Sequence, residues 1–123
     1  MLVAYVTVTL ITIVANTAIA VADVRRAEFV LANSAEVGVP LSWLPWLAAL
    51  KAAGAVGLLL GMVGVLLDMA VVPLLGIAAA VGLILFFTGA LVVHLRARVL
   101  YNLYFPGMFW LLAVASLVLA LAQ

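Results

Sequence analysis

Residues 50–61 read Leu-Lys-Ala-Ala-Gly-Ala-Val-Gly-Leu-Leu-Leu-Gly, an apolar run with a single charge. Its glycines, with one more beyond the run, recur at spacings of 3, 4 and 3, at Gly54, Gly57, Gly61 and Gly64. Gly57 and Gly61 form a Gly-x-x-x-Gly pair, a pattern that lets two helix backbones approach closely in a membrane. Lys51 lies on the same helical face as Gly54. The run therefore predicts a membrane helix with a charged side chain in a packed seam.

The rest of the chain is equally apolar, with 72% hydrophobic residues in 123 and a mean hydropathy of +1.54. A membrane-spanning helix needs about 20 mostly apolar residues. Four segments qualify: 2–22, 42–65, 71–94 and 105–122. The first lacks a basic n-region and is expected to span the membrane, not to act as a secretory signal. We therefore expect residues 1–123 to form one transmembrane domain of the all-α class, an integral membrane four-helix up-down bundle.

Composition argues against several classes of function. The chain has no cysteine, which excludes a disulfide relay and a thiolate metal site. One histidine cannot supply two axial haem ligands, and it makes a zinc site improbable. The formal net charge of +1 gives no reason to expect a nucleic-acid partner. No cofactor is expected from these residues.

The charged residues predict the orientation of the bundle. Arg25 and Arg26 follow the first span, and Arg96 and Arg98 follow the third, so both pairs lie at the same membrane face. By the positive-inside rule this face is cytoplasmic, which places Asp68 and both termini outside. Residues 24–34 either extend the first helix or form a short interfacial helix, and both alternatives stay open.

Polar residues on the first helix share one face: Tyr5, Thr9, Thr12, Asn16 and Asp23. Such a stripe should face protein, where its hydrogen bonds can be made. Thr12 and Asn16 are therefore candidate ligand contacts, the alternative being that they only join helices.

The third span carries Phe86, His94 and Arg98 at multiples of four residues, which predicts that they share a face. Ionisable groups in a membrane usually face the bundle interior and mark functional sites. The candidate catalytic residues all lie in one membrane half: Asp23, Lys51, His94 and Arg98. Candidate ligand-binding residues are Thr12, Asn16, Phe86, Arg96 and Tyr101; no metal ligand is expected. Asp23 could pair with Lys51, Arg96 or Arg98, and Lys51 could instead extend to the headgroups.

The chain resembles the DoxX-like family, small four-helix membrane proteins of bacteria. The resemblance rests on the run at 50–61 and on Gly-Leu-Ile-Leu-Phe-Phe-Thr-Gly-Ala-Leu-Val-Val-His-Leu-Arg-Ala-Arg at 82–98. The segments Ala-Asp-Val-Arg-Arg (22–26) and Val-Pro-Leu-Ser-Trp-Leu-Pro (39–45) are similar to the family's first loop. The resemblance implies a bacterial inner-membrane protein, with relatives linked to quinone-coupled sulfur oxidation and membrane redox complexes. It makes Asp23, Lys51, His94, Arg96 and Arg98 motif positions without a settled catalytic role.

Two hypotheses for the function follow, and the sequence does not decide whether the protein is an enzyme. In the first, a polar cavity in the cytoplasmic half binds a lipophilic small molecule, such as a quinone, terpenoid, steroid or epoxide. Acid–base groups there could isomerise it or open an epoxide, with Asp23 or His94 accepting the proton and Lys51 or Arg98 stabilising an oxyanion. In the alternative, the protein is a non-catalytic subunit or anchor of a quinone-linked redox complex.

Partners other than the lipid bilayer are less well defined by the sequence. A partner membrane protein belongs to the subunit hypothesis, and a homodimer could form through Gly57 and Gly61. Packing within one chain explains these two glycines at least as well. A channel or transporter is the weakest reading, since the outer half of the membrane has almost no charge.

Overall fold

A computed structural model describes all residues, 1–123, as five α-helices without β-strands. The helices are α1 (Leu2–Val24), α2 (Glu28–Val37), α3 (Leu44–Leu66), α4 (Pro73–Arg96) and α5 (Tyr104–Leu121). A 3₁₀ turn at Leu41–Trp43 leads into α3. All but α2 are long and apolar enough to cross a membrane. The expected all-α membrane bundle is confirmed, and the helix ends lie within about two residues of the expected ones.

The four long helices form a closed ring, because α1 packs on α3, α3 on α4, α4 on α5 and α5 on α1. Successive long helices run in opposite directions, which gives the up-down arrangement. An apolar cluster fills the centre: Leu58, Ala80, Leu83, Phe87, Phe109 and Ala113. The end of the bundle where α1 and α4 finish and α3 and α5 begin carries α2, and is called the α2 end below.

The glycines of α3 hold it close to α4. A Cβ atom added to Gly57 would lie 2.6 Å from the Cβ of Ala79, and one added to Gly61 would overlap the backbone of Gly76. At Gly54 it would lie 2.6 Å from the side chain of Leu83. The glycine pattern thus serves packing within the chain, and the face considered above for a homodimer is covered by α4.

Of the two forms considered for residues 24–34, the structure shows a short separate helix and not an extension of the first helix. Helix α1 ends at Val24, and Arg26 adopts a positive φ of 53°, which breaks the helix. Helix α2 then begins at Glu28 as a separate helix and ends at Gly38, whose φ of 77° suits glycine. The turn brings α2 back over the end of the bundle, where it contacts α4.

Candidate functional site

An ion pair is buried at the α2 end, between the last turn of α1 and the second turn of α3. Nζ of Lys51 lies 2.6 Å from Oδ2 of Asp23. Lys51 is 6% exposed and Asp23 is 4% exposed, so water does not screen the pair. Nζ of Lys51 also lies 5.4 Å from the centre of the Phe86 ring, which attracts a cation through its π face. The lysine is thus paired inside the bundle and does not extend to the headgroups.

His94 is buried near the end of α4, with only 5% of its surface exposed. Its Nδ1 lies 2.9 Å from the carbonyl oxygen of Ala90, one turn earlier in the same helix. Its Nε2 lies 3.2 Å from Oδ1 of Asn33 on α2. Nδ2 of Asn102, in the loop before α5, donates to the same Asn33 oxygen at 3.0 Å. Both ring nitrogens therefore have partners, one in α4 and one in α2.

A second link joins α2 to the loop between α4 and α5. The hydroxyl of Tyr101 lies 2.8 and 2.7 Å from the two carboxylate oxygens of Glu36 and donates to them. Both residues are exposed and stand at the rim of the α2 end. The bond helps to hold α2 in place over the bundle.

This bond predicts an altered ionisation of Tyr101, whose exposed phenol lies outside the spans. The hydrogen bond to Glu36, with smaller contributions from burial and the negative charge of Glu36, raises the pKa of the Tyr101 phenol above its usual value. Because the folded-state pKa is raised, the stability that the bond adds is present below the ordinary phenol pKa of about 10 and is lost as pH rises through the raised value.

Absorbance titration of tyrosinate should detect this shift. The transition that disappears in Tyr101→Phe belongs to Tyr101. In Glu36→Gln we expect this transition to move toward the ordinary phenol pKa, because the hydrogen bond to the carboxylate is lost. An unchanged transition in Glu36→Gln would contradict the bond. Tyr104→Phe, which alters a neighbouring exposed phenol, is the control.

The ion pair, His94 and the rim bond all line one partly open cavity of about 740 Å³. Of its 27 lining residues 18 are hydrophobic, so the cavity suits a largely apolar molecule. Aromatic side chains form much of the wall: Phe29, Trp43, Phe86, Phe87, Tyr104 and Phe105. The polar groups that decide its chemistry are Asp23, Asn33, Glu36, Lys51, His94 and Tyr101.

The structure brings together five of the residues singled out from the sequence. Asp23, Lys51, Phe86, His94 and Tyr101 all line the cavity. They come from α1, α3, α4 and the loop before α5, so no single stretch of sequence contains the site.

Arg96 and Arg98 lie outside the cavity, and both are exposed. Helix α4 ends at Arg96, and Arg98 adopts a positive φ of 58°. The expected face shared by His94 and Arg98 therefore does not form, because a four-residue spacing aligns side chains only while the helix continues. Neither arginine is paired with Asp23, whose partner is Lys51.

Thr12 and Asn16 are fully buried but also lie outside the cavity. Oγ1 of Thr12 donates to the carbonyl oxygen of Val8 at 2.8 Å and lies 3.0 Å from Oγ of Ser116 on α5. Nδ2 of Asn16 donates to the carbonyl oxygen of Thr12 at 3.0 Å. The polar stripe of α1 does face protein: the Thr12–Ser116 contact joins α1 to α5, and the Asn16 bond lies within α1.

Sequence reasoning missed Asn33, Glu36 and Asn102. Asn33 lies 61 residues from His94 in the chain, and Glu36 lies 65 residues from Tyr101. Two of the three belong to α2, whose existence as a separate helix was undecided from the sequence. A polar residue in a short charged segment is ordinarily solvated, so these positions carried no signal of their own.

Comparison with known proteins places the chain in a family but not beside a characterised relative. Searches of curated proteins and of solved structures find no match to it. The model of the DoxX-like family matches residues 7–116, which include all four long helices apart from the ends of the first and last. The resemblance seen in the glycine run and the His-x-Arg-x-Arg segment is thereby confirmed, and the chain belongs to the DoxX-like family.

Proposed function

We propose that the cavity binds a lipophilic small molecule from the bilayer and converts it by acid–base chemistry. The observation that supports this most is the buried Asp23–Lys51 pair, which lines a 740 Å³ cavity together with His94. Buried ionisable groups in a membrane protein are costly and tend to be kept for function. An apolar cavity with a few convergent polar groups is the usual form of a small-molecule site.

The geometry supports different roles for the polar groups. Asp23 holds the ammonium of Lys51, so Lys51 is the donor that can stabilise an oxyanion. His94 is the proton acceptor, since a neutral imidazole has one nitrogen with a free lone pair. Phe86 and the other aromatic residues contact the apolar body of the ligand. Arg98, also considered for the oxyanion, lies outside the cavity.

These roles suffice for isomerisation of a carbonyl compound or opening of an epoxide without an oxidant. In the isomerisation of a β,γ-unsaturated carbonyl compound, the C–H bond beside the carbonyl breaks, the proton binds to His94, and the electron pair moves to the carbonyl oxygen near Lys51. His94 then returns the proton to the γ carbon while the electron pair moves back from the oxygen, which restores the neutral imidazole and gives the conjugated isomer. The charge changes take place beside side chains that are buried, where electrostatic interactions are stronger than in water.

A cavity-filling substitution tests the proposal. Gly89 lines the cavity, and a Cβ atom there would meet no other atom within 4 Å. Gly82, two turns earlier in α4, is equally open but does not line the cavity. We expect native mass spectrometry of the gently solubilised protein to find a stoichiometric lipophilic molecule that Gly89→Leu loses and Gly82→Leu retains.

The same measurement separates the proposal from the subunit hypothesis. Bulk lipid alone, bound equally by both glycine variants, would contradict a ligand site in the cavity. A co-eluting membrane protein in place of a small molecule would favour a non-catalytic subunit or anchor of a quinone-linked redox complex.

We further propose that the α2 end faces the cytoplasm of a bacterial inner membrane, with both termini outside. The basis is that four of the chain's five basic residues lie at this end: three in the two connections, and Arg96 as the last residue of α4. The chain has no cysteine, so single cysteines report accessibility without background. In intact cells Glu28→Cys should resist a membrane-impermeant thiol reagent while Leu67→Cys reacts. The opposite result would reverse the orientation.

A further inference from the structure

Asn33 connects three separate segments at the candidate site. Its side chain contacts Nε2 of His94 on α4 and Nδ2 of Asn102 in the loop before α5, while its backbone belongs to α2. Apart from Asn33, the side chain of His94 has one polar partner, the carbonyl oxygen of Ala90. The hydrogen bonding of Nε2 therefore depends on Asn33.

The contact with Ala90 determines which ring nitrogen carries the proton. A carbonyl oxygen only accepts hydrogen bonds, so Nδ1 of His94 must be protonated to make the 2.9 Å contact. In the neutral ring the other nitrogen, Nε2, then has a free lone pair. Nε2 is thus the nitrogen that gains and loses a proton, and it lies on the side of the ring that meets Asn33.

An asparagine amide can serve Nε2 in both of its states. When Nε2 has a lone pair, the amide must present its NH₂ group; when Nε2 carries a proton, the amide must present its oxygen. In the structure the amide presents Oδ1 to Nε2, the arrangement for a protonated Nε2, and this oxygen also accepts from Nδ2 of Asn102. To present NH₂ to Nε2, both amides must make half a turn, so that Oδ1 of Asn102 accepts from the NH₂ of Asn33. The two ends of an amide are nearly identical in shape, so both turns fit in the same space. A carboxylate could only accept, and an aliphatic side chain could do neither.

We propose that Asn33 is a positioning residue for His94: its amide holds the ring at the cavity, releases the Nε2 lone pair to a bound ligand, and accepts from Nε2 once this nitrogen is protonated. This inference rests on the proposed function, in which His94 accepts a proton from the ligand. Asn33 itself does not exchange a proton. The other titratable groups that face the same cavity are Asp23, Lys51, Glu36, Tyr101 and Tyr104.

Histidine labelling gives a direct test, because His94 is the only histidine in the chain. In protein labelled with ¹⁵N-histidine, the two ring nitrogens give the only signals, and their shifts report which of them is protonated. At a pH where the wild-type ring is neutral, we expect protonated Nδ1 and a hydrogen-bonded Nε2 lone pair. Asn33→Asp, of nearly equal size, should protonate both nitrogens at that pH, because a carboxylate stabilises the imidazolium.

Two further variants keep the test decisive. Asn33→Leu should leave the ring neutral and move the Nε2 signal to that of a nitrogen without a hydrogen bond. Ser34→Ala alters the neighbouring buried residue of α2 without touching His94, so it should leave the spectrum unchanged. Identical spectra in wild type, Asn33→Asp and Asn33→Leu would overturn the inference. This readout needs no ligand, so it stands apart from the Gly89→Leu experiment, whose failure would count against the proposed function.

Discussion

Lys51→Met should be the most destabilising single substitution in the charged cluster. It removes the only basic partner of Asp23 and leaves a carboxylate that is 4% exposed. Loss of one member of a buried ion pair costs about 3–5 kcal/mol, because the remaining charge is uncompensated. Thermal unfolding in detergent should show a marked fall in melting temperature. The same substitution should abolish binding of any ligand found by native mass spectrometry.

A double variant separates the pair from the lysine side chain itself. Lys51→Met combined with Asp23→Leu removes both charges and should recover most of the lost stability, since apolar residues often replace a buried pair without loss. Ligand binding should not recover, because the oxyanion donor is still missing. A Lys51→Met variant as stable as the wild type would show that Lys51 reaches the headgroups and that the pair contributes little.

Gly61→Ala should have the second large effect, through packing alone. The added Cβ atom would overlap the backbone of Gly76, and no flexible side chain is present there to move aside. Helices α3 and α4 would have to separate, which costs about 1–3 kcal/mol for a single extra carbon. Reversible unfolding in detergent and denaturant should measure the loss, and Gly61→Leu should prevent folding.

Gly82→Ala is the matched control, because it makes the same chemical change in a membrane helix with no atom within 4 Å of the new carbon. It should be neutral or gain up to about 1 kcal/mol from the better helix propensity of alanine. Equal stability of Gly61→Ala and the wild type would show that the two helices are not in contact at this point. The close packing of α3 on α4 would then need revision.

The α3–α4 contact and the surroundings of the ion pair depend on the same helix packing. Glycines bring α4 close to α3 on the face that also carries Lys51, and this closeness places Phe86 beside the ammonium. The lysine therefore has two partners, a carboxylate from α1 and an aromatic ring from α4, and both depend on the packing of the ring of helices. We expect changes in the glycine seam to disturb the site as well as the fold.

Much of the fold and part of the candidate site could be predicted from the sequence alone. Composition and segment length required four membrane helices, because unpaired backbone groups are intolerable in lipid. Helical spacing correctly placed the polar stripe of α1 on a buried face: Tyr5, Thr9, Thr12, Asn16 and Asp23 are all buried. The glycine spacing correctly predicted a close helix contact, and the position of Lys51 beside it predicted a buried lysine. Each of these properties depends on one helix at a time.

The assignment of partners was decided only by the tertiary structure. Three basic residues were candidates for Asp23, and the packing of α1 on α3 selected Lys51. Thr12 and Asn16 face inward as expected, yet neither lines the cavity: Thr12 contacts Ser116 of α5, and Asn16 bonds to Thr12 within α1. Periodicity gives the direction of a side chain around its own helix, but the distance to a group on another helix depends on how the helices are arranged.

The turns at Arg26 and Arg98 likewise could not be predicted from the sequence. A positive φ at Arg26 turns α2 back over the bundle, so that Asn33 reaches His94 and Glu36 reaches Tyr101. Helix α4 ends before Arg98, whose φ is positive, so the helical spacing that would have aligned it with His94 does not continue. Arginine has no strong preference for this conformation. Such turns form because the contacts they permit elsewhere outweigh the local cost, and those contacts exist only in the folded bundle.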